Sequence, residues 1–174
     1  MSTDGWVSAA ATAFLGLLTA SALPDEIETH GAHEHGVAVL NVGIESNRVE
    51  MEFESPSVNV VGFERAPKTE GERAAVARAA QQLGDGRGLF VFTPAAGCLL
   101  LSADVDTPSW DGSGHADYEA RYAYRCDKPQ LLRSIDVRLV HQLIGDAKLR
   151  VQIVGAQGQT STELTKARSV VTIR

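Results

Sequence analysis

Hydrophobic and polar residues follow a strand pattern from about residue 35 onwards. HGVAVLNVGI, at 35–44, is apolar on both faces and predicts a central strand. After turn residues at 45–48, VEMEFE at 49–54 alternates strictly, with Val, Met and Phe on one face and three glutamates on the other. This alternation predicts a half-buried antiparallel strand that pairs with the first strand in a hairpin. SVNVVGF, at 57–63, predicts a third strand.

One main amphipathic helix is predicted at about 69–83. Thr69 and Glu72 have the spacing of a capping box, in which each side chain accepts a hydrogen bond from an exposed backbone amide at the start of the helix. Apolar residues then recur at helical spacing up to Leu83. Gly84 follows at the position where a glycine commonly ends a helix.

The second half of the chain again has the pattern of β-strands. In YEARYAYRC, Tyr118, Tyr122 and Tyr124 share one face, which is more typical of a core than of a ligand site. The segments predicted to form strands are GLFVFTP, CLLLSADV, YEARYAYRC, SIDVRLV, the hairpin LRVQIVGAQGQTSTEL and SVVTIR. We therefore expect an α+β fold, a mainly antiparallel β-sheet with one main helix in a single domain.

The N-terminal segment has the composition of a secretory signal. Trp6 to Ala22 contains no charged residue, and Ala20-Ser21-Ala22 offers a cleavage site. The residues before it include Asp4 but no lysine or arginine, which is atypical of a signal, so an uncleaved anchor and an apolar core helix are alternatives. The predicted organisation is a signal peptide at 1–22, a flexible histidine-containing leader at 23–35 and a single β-rich domain at 36–174.

Charge and cysteine content narrow the functional classes. The 22 acidic residues outnumber the 16 basic ones, and the net charge of −6 argues against nucleic acid as a partner, because phosphate binding requires a basic surface. The two cysteines, Cys98 and Cys126, lack the C-x-x-C spacing of redox or zinc-thiolate sites. In an exported protein they predict one disulfide between two strands, whereas in a cytosolic protein they would be free thiols.

Histidines are concentrated in HGAHEHG, at 30–36, where three of the five in the chain occur. If a strand begins at or before His33 and His35, their side chains point to the same face and can share a metal ion, with His30 joining from flexible chain. Zn²⁺ takes three or four N, O or S ligands, so at least one more must come from elsewhere in the fold.

His115 is the best candidate for that further ligand. It lies in the polar loop SWDGSGHAD before the tyrosine strand, and it would meet the other histidines if the two strands were parallel neighbours. Asp117 or Glu34 could complete the set of ligands. The alternative is that these are exposed loop histidines without a ligand. His141, after an apolar strand, is expected to be a core or edge histidine.

Motifs of catalysis are missing from the sequence. It contains no G-x-S-x-G elbow, glycine-rich phosphate loop or H-E-x-x-H pair. A metal-dependent hydrolase would also need a general base beside the metal, and no residue can be assigned to that role. We therefore predict that the protein is not an enzyme.

Six segments in a fixed order resemble the bacterial periplasmic zinc-binding proteins of the ZrgA type. The resemblance extends from about His30 to the C-terminus. It implies an exported, periplasmic zinc-binding domain that assists zinc acquisition beside zinc transport components of the envelope, without enzymatic activity. The segments are HGAHEHGVAVLNV, ESPSVNVVGFERAPKTEGERAAV, AAGCLLLSADV, GHADYEARYAYRC, LRSIDVRLV and VQIVGAQGQ.

The resemblance extends to particular residues and also has departures. The family's H-x-H-G corresponds to 33–36, its later histidine to His115 with Asp117 as the acidic residue, and its cysteine pair to Cys98 and Cys126. This chain has only SWDGSGHAD where relatives carry a long histidine-rich insertion, and it has Arg65 where the family pattern tends to have histidine. The alternative function is an envelope interaction or scaffold module in which the histidines are incidental.

Overall fold

The structure is a computed structural model that describes Met1 and residues 34–110 and 116–173. The predicted signal peptide and most of the predicted leader lie outside the described residues, as do three of the histidines: His30, His33 and His115. Within the described part of the chain, no helix is long and apolar enough to cross a membrane.

Nine strands and four α-helices form the described part of the chain, all within one compact unit that covers residues 32–174. In chain order they are β1 (Val37–Glu45), β2 (Arg48–Pro56), α1 (Ser57–Val61), α2 (Glu70–Gly84), α3 (Gly86–Leu89), β3 (Phe90–Phe92), β4 (Cys98–Asp106), β5 (Asp117–Cys126), β6 (Ser134–Val137), α4 (Leu139–Gln142), β7 (Lys148–Gly155), β8 (Gly158–Leu164) and β9 (Val170–Thr172).

Most strands belong to one six-stranded sheet with the order β4-β5-β2-β1-β7-β8. All of its neighbouring strands are antiparallel except β1 and β7, which are parallel. A second, antiparallel sheet has the order β3-β6-β9. The α+β fold with a mainly antiparallel sheet is therefore confirmed, as are the two predicted hairpins, β1–β2 and β7–β8. β1 is also a central strand, as its apolar sequence predicts.

Alternate residues of the large sheet are buried against the helices and the small sheet. The tyrosines of β5 are part of this core, as predicted, and two of their hydroxyls reach helix ends. The Tyr122 hydroxyl donates to the Leu83 carbonyl at 2.8 Å, and the Tyr124 hydroxyl donates to the Gly86 carbonyl at 2.6 Å. Burial raises the pKa of both hydroxyls. These bonds fix the end of α2 and the start of α3 on the sheet.

The main helix begins as predicted but ends differently. Glu72 N donates to the Thr69 hydroxyl at 3.1 Å and the Glu72 carboxylate accepts from Thr69 N at 3.2 Å, so the capping box is confirmed. The prediction that Gly84 ends the helix as a cap is wrong, because Gly84 is its last helical residue. Asp85 is the cap, and its side chain accepts a hydrogen bond from Gly88 N as α3 begins.

Two predicted strands are wrong in whole or in part. Residues 57–63 do not form a strand; they begin with α1, because β2 ends at Pro56 and Gly62 closes the helix with a φ of 86°. Of the predicted strand at 134–140, only β6 is extended, and the chain then turns into α4. Apolar residues on a short buried helix and on a buried strand give similar patterns, which explains both errors.

The two cysteines form the predicted disulfide. Cys98 lies directly opposite Cys126 in the register of β4 and β5, and their sulfur atoms are bonded. The bond links an edge strand of the large sheet to its neighbour at the end of β5.

Candidate metal site

His35 lies in a turn immediately before β1. Val37 N donates to the Glu34 carbonyl at 3.0 Å, and Gly36 has a φ of 83°, a conformation that glycine adopts without strain. The strand begins two residues after His35, so the condition for placing His33 and His35 on one face of a strand is not met. The orientation of His35 is set by the turn instead of by strand alternation.

The imidazole of His35 is paired with a carboxylate that the sequence did not single out. His35 Nε2 and Glu64 Oε2 are 2.9 Å apart, a hydrogen-bond distance. The His35 side chain is 69% exposed and that of Glu64 is 35% exposed, so both groups are open to solvent. An imidazole nitrogen and a carboxylate oxygen are both ligands that zinc accepts.

Glu64 reaches this position because hydrogen bonds fold residues 57–63 back on themselves. We call this stretch, which contains α1, the α1 unit. Gly62 N donates to the Val58 carbonyl at 3.0 Å, which ends α1, and the Ser57 hydroxyl donates to the Phe63 carbonyl at 2.6 Å. Ser57 is fully buried. These bonds bring the chain back beside its own start, and Glu64 follows directly.

The first residues of β1 and β5 lie at the same end of the large sheet. Val39 of β1 is opposite Glu54 of β2, and Asp117 of β5 is opposite Pro56 of β2. β1 and β5 therefore run parallel, but they are not neighbours, because β2 lies between them, so only one half of the condition for bringing His115 to the other histidines is met. Two strand spacings separate the strands by about 10 Å.

The chain on either side of residues 111–115 is attached to the α1 unit. The Trp110 ring lies 6.0 Å from the Phe63 ring, centroid to centroid, and Ser57 N donates to the Ala116 carbonyl at 2.7 Å. Phe63 is the residue before Glu64. Both described ends of the segment that contains His115 are thus in contact with the stretch 57–63 that immediately precedes Glu64.

Arg65, the residue that departs from the family pattern, is directed at α2. Its guanidinium donates two hydrogen bonds to the Glu72 carboxylate, at 2.7 and 3.0 Å, and its carbon atom lies 5.1 Å from the Phe63 ring centroid. The Arg65 guanidinium and the backbone amides of Lys68 and Thr69 lower the pKa of Glu72 from 4.5 to about 2. The positive charge beside Glu64 is therefore compensated by a carboxylate that stays ionised.

Two other candidate ligands, Glu34 and Asp117, are among the described residues. The Glu34 carboxylate lies 3.8 Å from Arg150 on β7, and Asp117 lies at the start of β5. His141 is exposed on α4, so its prediction as a core or edge histidine is wrong. Among the described residues, no group of three or more His, Cys, Asp or Glu side chains could hold a metal ion. His30, His33 and His115 are outside these residues and remain predictions.

Glu64 is the residue that sequence reasoning missed. It stands in the segment VGFERAP, which carries part of the family resemblance, but a strand at 57–63 gave no reason to bring it back to β1. The signals that could have found it are Pro56 and Gly62, which end a strand and a short helix and so make a reversal of the chain.

Comparison with known proteins identifies the family. A search of curated proteins finds no match to this chain. The profile of the ZrgA family zinc uptake protein matches residues 32–173, which include every described strand and helix. This chain therefore belongs to the ZrgA family of zinc uptake proteins.

Proposed function

We propose that this chain is a periplasmic zinc-binding protein that takes up zinc as cargo and passes it to zinc transport components of the envelope, and that it is not an enzyme. The membership of a zinc uptake family supports a binding role over catalysis. The observation that carries the proposal is the exposed pair of His35 and Glu64, two side chains of zinc-ligating type held 2.9 Å apart.

The spacing of this pair suits zinc. Two ligands of a tetrahedral zinc ion at 2.0–2.1 Å lie about 3.3 Å from each other, so the pair needs to open by only about 0.4 Å. When His35 is neutral with its proton on Nε2, that nitrogen donates the hydrogen bond to Glu64, and zinc would take the place of this proton. The single ring proton of neutral His35 would then be on Nδ1, the nitrogen that does not face the metal.

Zinc needs one or two further protein ligands, and the histidines outside the described residues are the candidates. We propose His33 and His115, because His33 is two residues from His35 and the chain beside His115 is attached to the α1 unit. His30 and Asp117 are the alternative candidates for a further zinc ligand. A site of imidazole and carboxylate ligands open to solvent exchanges its metal more readily than a closed thiolate site, as a cargo protein requires.

The test is a competition titration of zinc against a chromophoric chelator, with protein that carries no histidine tag. We expect one equivalent of zinc in the wild type and weaker binding in His35→Ala and in Glu64→Ala. The variant with His33, His35 and His115 all replaced by alanine should lose the site. His141→Ala is the matched control, because it removes an exposed histidine from α4 and should leave the affinity unchanged.

The opposite result would favour the scaffold function. If the triple histidine variant folds and still supports growth of zinc-starved cells as well as the wild type, the histidines are incidental. A protein that binds no zinc while it restores growth would have the same meaning, and its role would then lie in contacts with other envelope proteins.

A further inference from the structure

The side chain of Asn59 forms hydrogen bonds to the backbone that immediately follows His35. Its Oδ1 accepts a hydrogen bond from Gly36 N at 2.9 Å, and its Nδ2 donates to the Val37 carbonyl at 3.0 Å. Nδ2 also lies 3.3 Å from the Ser55 hydroxyl at the end of β2. One side-chain amide thus binds the backbone after His35 on the β2 side, where β1 has not yet begun to pair with β2, while β7 already pairs with Val37 on the other side.

The first of these bonds acts directly on the turn that carries His35. Gly36 N belongs to the peptide unit that His35 begins, so its hydrogen bond to Asn59 fixes the plane of that unit. The turn has its own bond between Val37 N and the Glu34 carbonyl, and Lys148 N of β7 donates to the Gly36 carbonyl at 2.8 Å, but neither bond joins the turn to α1. The Asn59 amide supplies that relation.

Asn59 and Glu64 belong to one segment that is closed by its own hydrogen bonds. Asn59 lies in α1, and the bonds at Gly62 and between Ser57 and Phe63 close the segment immediately before Glu64. When the Asn59 amide holds the backbone at 36–37, it therefore also sets the distance between the His35 imidazole and the Glu64 carboxylate. Both side chains are exposed, so their own packing does little to set that distance.

We infer that Asn59 is a positioning residue for zinc, which holds the two ligands at the separation that the metal requires without touching the metal itself. This inference rests on the proposed function. Replacing a residue that orients a metal ligand through hydrogen bonds typically lowers the metal affinity about 10- to 100-fold. Asn59 orients His35 through hydrogen bonds to the backbone at 36–37, and it is connected to Glu64 through α1.

The experiment measures zinc affinity in Asn59→Ala, in Glu64→Ala and in the double variant. We expect Asn59→Ala to weaken binding about 10- to 100-fold in the wild-type background. With Glu64 already replaced, the same change should matter less than about threefold, because the pair that Asn59 sets no longer exists. A merely structural effect on folding would be similar in both backgrounds.

Two controls separate positioning from folding. Asn41→Ala removes an exposed asparagine from the middle of β1 and should leave the affinity unchanged. Asn59→Ser keeps a polar side chain that is too short to span both backbone groups, and it serves if Asn59→Ala does not fold. In both Asn59 variants, amide hydrogen exchange at Gly36 should accelerate while exchange at Val42 in the middle of β1 stays slow.

The outcomes are distinct. Equal losses in both backgrounds, or unchanged affinity in Asn59→Ala when Glu64→Ala weakens binding, would overturn the positioning role alone. If His35→Ala and Glu64→Ala both leave zinc binding unchanged, the proposed site itself is wrong, and the inference is overturned with it.

Discussion

Replacing Cys98 and Cys126 together by alanine removes a bond at the opposite end of the sheet from the candidate metal site. Cys126 is the last residue of β5. Asp117, the first residue, lies at the same end of the large sheet as the start of β1, which His35 precedes. A ten-residue strand places these ends about 30 Å apart. The disulfide should therefore matter for stability but not for the binding of zinc.

The expected loss of stability follows from the loop that the disulfide closes. The cysteines are separated by 28 positions in the sequence. In the chain-entropy model, closing a loop of this length restricts the unfolded chain by about 3.6 kcal/mol at 25 °C. A protein of this size loses about 2–4 °C in Tm for each kcal/mol, so the double variant should unfold about 7–14 °C lower than the wild type.

Two measurements on the same samples check this reasoning. Urea and thermal unfolding give the stability difference between the wild type and the Cys98→Ala/Cys126→Ala variant, and a zinc titration well below both Tm values gives the affinities. We expect a stability loss of about 3–4 kcal/mol and an unchanged Kd. A fall in zinc affinity as large as that of His35→Ala would show that the site is not confined to the edge at β1 and α1.

Three further predictions follow from the site and the core. Zinc affinity should fall steeply between about pH 7 and pH 5, because protons compete with the metal for the imidazole nitrogens; a Kd independent of pH in a titration series would contradict a histidine site. Glu72→Gln should lower the Tm at neutral pH. Since the pKa of Glu72 is lowered from 4.5 to about 2, its stabilising contribution is complete above pH 4.5 and is lost as the pH falls through about 2, so the two Tm curves should converge there; a constant difference down to pH 2 would contradict the Arg65 pair as its cause. Tyr124→Phe should cost about 0.5–1.5 kcal/mol in urea unfolding because the Gly86 carbonyl loses the 2.6 Å bond from Tyr124 and keeps only the one from Phe90 N, whereas Tyr118→Phe, whose bond is 3.5 Å long, should cost less; equal costs would refute the hydrogen-bond explanation.

Much of the fold could be predicted because alternation and capping act locally. VEMEFE has only one face that can be buried, and the Thr69–Glu72 box marks a helix start by itself, so both predictions are confirmed. The segment at 57–63 could not be predicted in this way. Its apolar residues suit a strand, but Pro56 ends β2 and Gly62 ends α1, and hydrogen bonds to Val37 of β1 and to Ala116, just before β5, decide the conformation.

The candidate site could be predicted only in part, since its members come together through the order of the strands. The sequence indicates His35 as a ligand because histidines are concentrated there. It does not indicate Glu64 or Asn59, because both depend on the return of α1 to the start of β1. The prediction that His115 meets the other histidines required β1 and β5 to be parallel neighbours. They are parallel, but β2, the hairpin partner of β1, lies between them, and the order of strands in the sheet is not encoded in any one segment.

An anomalous difference map at the zinc absorption edge, from crystals of the wild-type protein grown with one equivalent of zinc, would locate the bound zinc ion directly. We expect a peak about 2.0–2.2 Å from both His35 Nε2 and a Glu64 carboxylate oxygen, with one or two further histidine nitrogens around it. A peak at another place on the molecule, or zinc bound by neither of these two side chains, would contradict the proposed site.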